Sequence, residues 1–168
     1  MVNTKFTNLL FDIACSAVTC DGHIDEKEIR ELKHINRTTT YFKDIDLSKR
    51  LDRFLNNFKY NADQTINNIL DHTKDEFLNP VEEMLVLEVA LRLIYADTKI
   101  DEKEIKFIES VRSCLGLDDE MITQRFGVID FLISPKDEIL NSNNKKDPID
   151  TKSLENLYFS AEDNKESK

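Results

Sequence analysis

Six consecutive residues occur twice in this chain of 168. Ile24-Asp25-Glu26-Lys27-Glu28-Ile29 returns unchanged as Ile100-Asp101-Glu102-Lys103-Glu104-Ile105, an offset of 76 residues from Asp25 to Asp101. The likeness extends outward without a gap: Asp21 matches Asp97, Ala14 matches Ala90, Val18 matches Ile94, Arg30 matches Lys106, Leu32 matches Ile108 and Ile35 matches Val111. Each copy reads as an apolar helix, a short acidic loop and a second, amphipathic helix. Repeated units of this size cannot bury their apolar faces alone, so they stack on one another. The repeat therefore predicts an all-α bundle with an internal pseudo-two-fold axis. The first helices of the two copies, 4–20 and 80–96, are the natural partners at its centre.

Apolar residues recur at helical spacing in seven segments. Residues 4–20 carry Phe6, Leu9, Leu10, Ile13, Ala14 and Ala17, and 25–35 carry Ile29, Leu32 and Ile35. Residues 46–60 carry Leu47, Leu51, Phe54, Leu55 and Phe58, and 63–74 form a weaker helix on Ile66, Ile69 and Leu70. Asn79 as cap and Pro80 at the first position open a helix to about Ala96. Its residues are apolar on most of the circumference, as expected of a central helix. Residues 101–115 follow, with Ile105, Ile108, Val111 and Leu115 on one stripe and Gly116 expected at the C-terminal cap. Residues 118–133 form the last helix, with Met121, Ile122, Phe126, Ile129 and Leu132 inward. From Ser134 the composition turns to Asn, Lys, Asp, Ser and Glu. A domain over 4–133 and a polar, disordered tail over 134–168 are therefore expected. An apolar island at 154–159 interrupts that tail and is given no function.

Three Gly and three Pro in the whole chain are too few for a sandwich or barrel. The 23 basic residues against 33 acidic ones leave a net charge of −10, which disfavours a nucleic-acid partner. Three cysteines, Cys15, Cys20 and Cys114, have no framework spacing and read as thiols of a cytoplasmic protein. The start of the chain is not read as a secretory signal, since Asn8 and Asp12 interrupt its apolar stretch. No apolar run reaches the length of a membrane span. No phosphate-cradling loop, Cys-x-x-Cys pair or nucleophile elbow occurs, so no enzyme is expected.

The acidic loops are the candidate site. Asp21, Asp25 and Glu28 crowd together if Asp25 begins a helix, because residues three apart lie one above the other. Asp97, Asp101 and Glu104 repeat the set. Clustered carboxylates repel unless a cation lies between them, and hard oxygens suit Ca²⁺, Mg²⁺ or Mn²⁺. The plainer reading uses the same residues. Asp25 with Glu28, and Asp101 with Glu104, form capping boxes that need no metal. A calcium EF-hand is excluded: with Gly22 at the loop glycine, the first ligand positions fall on Ala17 and Leu93, which cannot ligate. Whether the two loops meet depends on helix crossing, which the sequence leaves open. His23 adjoins the first loop, but Lys99 replaces it in the second, so it reads as solvent-facing.

The pattern Asp21-Gly22-x-Ile24-Asp25-x-x-Glu28, repeated as Ala96-Asp97-x-x-Ile100-Asp101-x-x-Glu104, resembles the TerB-like family, the tellurite-resistance TerB superfamily. Gly116-Leu117-Asp118-Asp119-Glu120 is similar to that family's helix-to-helix joint. The resemblance covers about residues 4–133. It implies a bundle of about seven helices with pseudo-symmetry and an acidic site for a divalent cation, calcium foremost. It also implies a role in metal or chemical-stress response. The positions that match are Asp21, Asp25, Glu28, Asp97, Asp101 and Glu104. Thr98 departs from Gly22, so the second loop is expected to turn differently. Residues 37–75 carry no family motif. No His-Pro-Asp triplet is present, which excludes a J-domain co-chaperone. The expected protein is a non-enzymatic cation-binding module with a protein partner; the alternative is a metal-free interaction scaffold whose acidic loops only cap helices.

Overall fold

Short polar side chains fix where the helices start. The computed structural model describes residues 4–133, and the expectations for the tail lie outside the described residues. Seven α-helices and one 3₁₀ turn are present: α1 (Thr4–Thr19), α2 (Glu26–Thr38), α3 (Leu47–Tyr60), α4 (Ala62–Asp75), α5 (Pro80–Ile94), α6 (Glu102–Cys114), α7 (Asp119–Phe126) and the turn Asp130–Leu132. No strand occurs among the described residues. Asp25, Asp46, Asn79 and Asp101 each cap a helix with a side-chain oxygen. Pro80 follows Asn79 at the first helical position, where its missing N–H costs nothing.

The described residues fall into two units, one ending at Asp119 and one beginning at Glu120. In the first, α1 and α5 share the most extensive helix–helix contact. Both are apolar on nearly every face, and Leu10, Phe11, Ile13, Val18, Leu87, Val89, Leu93 and Ile94 are fully buried. The second helices cross over the repeat: α2 packs on α5, and α6 packs on α1 as well as on α5. The segment without a motif supplies α3 and α4, which pack on each other and on α1, with α4 also packed on α6. Arg50 of α3 fastens that pair. Its Nη1 donates to Asn8 Oδ1, and its Nη2 donates to Asp12 Oδ1 at 3.1 Å and Oδ2 at 3.3 Å. The guanidinium also lies 5.6 Å from the centre of the Phe11 ring, and Phe11 meets Phe42 edge to face at 5.5 Å.

Several sequence expectations are corrected. Residues 118–133 are not one helix. Gly127 takes φ +76°, its N–H closes on Thr123 O at 2.9 Å, and the chain resumes only as the 3₁₀ turn. Met121 is partly exposed, while Ile122, Phe126, Ile129 and Leu132 are buried. Gly116 follows the C-cap Leu115 but is no left-handed cap, since its φ is not positive. Its N–H donates to Glu83 Oε1 at 2.8 Å, and a Cβ there would lie 3.3 Å from that oxygen, so glycine serves a close approach. The cysteines are free thiols, with Cys15 buried. No described helix is long and apolar enough to cross a membrane.

Candidate functional site

Because α1 and α5 pack together, the loops that leave their C-termini come out side by side. The first loop turns at Gly22, whose φ of +87° only glycine adopts readily; its N–H donates to Thr19 O at 2.9 Å. Asp21 Oδ1 then accepts from the His23 N–H at 2.7 Å, and exposed His23 brings Nδ1 within 3.5 Å of Oδ2. The second loop has no left-handed residue at Thr98. There the Thr98 N–H donates to Asp97 Oδ1 at 2.6 Å, so the two loops do turn differently.

Both capping boxes are formed. Asp25 Oδ1 accepts from Lys27 N at 2.6 Å, and Glu28 Oε2 reaches back to Asp25 N at 3.4 Å. Asp101 Oδ1 accepts from Lys103 N at 2.7 Å and Glu104 N at 2.9 Å, and Glu104 Oε2 accepts from Asp101 N at 2.7 Å. Reaching back buries the glutamates: Glu28 and Glu104 are each 5 % exposed. Asp21, Asp25 and Asp97 are half-buried, and Asp101 is exposed.

The loops are also joined to each other. Lys27 Nζ, from the first copy, lies 2.6 Å from Asp97 Oδ1 of the second. Lys103 Nζ, its counterpart, donates to the backbone carbonyl of Asp21 at 3.0 Å. Each lysine thus crosses the pseudo-axis to the matching residue of the other loop. The two contacts differ: Lys27 meets a carboxylate oxygen, whereas Lys103 meets a backbone carbonyl and the Asp21 carboxylate is turned to His23.

Charge is felt across the same gap. Burial pushes the Glu28 carboxyl up to about 8, the Asp25 N–H opposes this, and the negative charges of Glu104, Asp21 and Asp25 add to it. Glu104 is raised by burial, with Asp101, Asp21 and Asp97 adding. Half-buried Cys20, at the end of α1, has its thiol held far above the ordinary range by burial and then by Glu104, Asp21, Glu28 and Asp101. Asp97 is held low, chiefly by its hydrogen bond from Lys27. All six carboxylates therefore belong to one acidic face. They do not all point at one place. Among the described residues, no group of three or more His, Cys, Asp or Glu side chains is arranged to hold a metal ion.

Reading the sequence singled out the acids, passed over Lys27 and Lys103, and took Cys20 only as a free thiol. The signal for the lysines was present, since both sit at the same place in the repeated hexapeptide. What it lacked was the crossing of α1 and α5 that aims each at the opposite loop.

No curated protein and no solved structure matches the chain. A family model described as tellurite resistance protein TerB matches residues 9–125, from α1 into α7 and across both loops. That match takes in both copies of the repeat and the helical pair between them, and with it the chain belongs to the TerB family.

Proposed function

We propose that this protein is a non-enzymatic module whose paired acidic loops take up a hard divalent cation, calcium before magnesium or manganese, in a metal- or stress-responsive role with a protein partner. One observation carries the reading: burial raises the carboxyls of both Glu28 and Glu104, and negative charge from the opposite loop adds to it, from Glu104 at Glu28 and from Asp21 at Glu104. A cation placed there would offset a repulsion that burial makes worse. The donor chemistry suits it, since every candidate ligand is a hard oxygen. Asp21, Asp25, Glu28, Asp97, Asp101 and Glu104 would hold the ion, with side-chain rotation to bring them to it.

A second reading, a metal-free docking scaffold, draws on the same loops. Both capping boxes and both lysine contacts already occupy carboxylate or carbonyl oxygens. Phe77, fully exposed in the turn between α4 and α5, and Val81, largely exposed in the first turn of α5, add apolar residues a partner could cover.

Titration with Ca²⁺ and with Mg²⁺ followed by amide NMR separates the two. The expected result is saturable shifts confined to residues 21–28 and 97–104. Asp25→Asn with Asp101→Asn keeps a capping side chain and removes the charge. That double variant is expected to lose binding while keeping its helical content. Equal response in the variant and the parent would remove these residues from the site.

A further inference from the structure

We infer that the cleft where α3 passes into α4 is a binding site for a neutral sugar, with Tyr60 as the stacking surface and the carboxamides of Asn57, Asn61, Gln64 and Asn68 as the hydrogen-bonding groups. The inference is independent of the cation reading and concerns the segment that carries no copy of the repeat.

Three observations lead to it. The first is placement. Asn57 and Tyr60 lie in the last turn of α3, Asn61 is the joint, and Gln64, Thr65 and Asn68 follow on α4 at helical spacing. Together they line a cleft of about 270 Å³. That is just under the range of about 300–1,000 Å³ that takes drug-sized ligands, and it suits one sugar ring or the end of a short oligosaccharide. The second is chemistry. All six side chains are polar and uncharged, in a chain whose residues are 33 % charged. Without a basic group the cleft has nothing to pair with a phosphate, and without a carboxylate it has no charged ligand for a cation. A carboxamide donates and accepts from one plane, which matches the neighbouring hydroxyls of a sugar, each of which does both. Tyr60 is 84 % exposed and gives the C–H face of such a ring an aromatic surface to lie on. The third is that these groups are unengaged. None of the six side chains makes a hydrogen bond among the described residues. Asn61 departs most from expectation. Asp25, Asp46, Asn79 and Asp101 each cap a helix with a side-chain oxygen, whereas Asn61, at the same position of α4, makes no such bond and lines the cleft instead.

The experiment titrates the isotope-labelled full chain with the methyl glycosides of glucose, galactose, mannose and N-acetylglucosamine, with glycerol as the control for unspecific contact. Backbone and side-chain amides are followed by NMR. At least one glycoside is expected to give saturable shifts in the millimolar range, confined to residues 57–68, with none from glycerol. Tyr60→Ala is expected to weaken that binding about tenfold through loss of the stacking face. Gln64→Ala is expected to weaken it about fivefold, the scale of one net hydrogen bond. Both positions are exposed, so each variant is expected to keep the parent's spectrum outside the joint. Equal affinity in the parent and both variants overturns the assignment, as do saturable shifts that fall elsewhere on the surface. Shifts that grow with sugar without saturating, or that glycerol reproduces, overturn it too. Silence with all four glycosides removes the site.

Discussion

At Glu28, the cost of taking a carboxylate out of water exceeds what one long hydrogen bond to the Asp25 N–H returns, and the group's folded value rises from 4.5 to about 8. The folded chain therefore holds a proton that the unfolded chain releases across that interval. The stability that Glu28 contributes is fully present below pH 4.5, falls as pH climbs, and is lost through about 8. Glu104 is raised too and acts in the same sense. Urea unfolding in the presence of a chelator is expected to show a midpoint that declines from pH 5 to pH 8. Glu28→Gln, an uncharged near-isostere, is expected to flatten the decline. A midpoint that stays level in the parent would show that Glu28 ionises in the folded state as it does in water.

Between helices, the energetics follow burial and not composition. Leu87 lies fully buried on α5, and Leu87→Ala is expected to cost about 2–5 kcal/mol. Val81, near the start of the same helix, is largely exposed, and Val81→Ala is expected to stay within about 0.5 kcal/mol. Urea denaturation of the two variants checks the contrast. Val81 also marks a limit of pattern reading, because a helix apolar all round does not say which end leaves the core. The repeat made the helix pairs, both capping boxes and the pairing of α1 with α5 legible. It did not reveal that Glu28 is more deeply buried than Ile29, since capping geometry and not hydrophobicity pulls that side chain inward. Phe107 was missed for another reason. The stripe through Ile105, Ile108 and Val111 describes a helix with one neighbour, while α6 packs against α1, α4 and α5 and buries a wider face. The meeting of the two loops was open for want of a crossing angle, and the six acids could be named before their shared face could.

For the molecule as a whole, a ligand that binds only the folded state raises its stability by about 2.7 kcal/mol at a hundred times its dissociation constant. Calcium is expected to raise the melting temperature in a concentration-dependent way. The gain should be larger at pH 8 than at pH 5, because a cation favours the ionised glutamates and reverses the decline described for the bare chain. Melting curves unmoved by calcium at both values would favour the metal-free scaffold. The clamp formed by Arg50 has a different consequence. A duplicated polymer has two nearly degenerate ways to assemble, with either long helix in either berth. Position 12 is aspartate and its counterpart at 88 is glutamate; Asn8 is answered by Met84 and Phe11 by Leu87. Exchanging the berths would bring a thioether where the guanidinium finds an amide oxygen, and an aliphatic chain where it finds a ring. Through Arg50, the intervening segment thus tells one long helix from its twin by side chains that only the first copy carries.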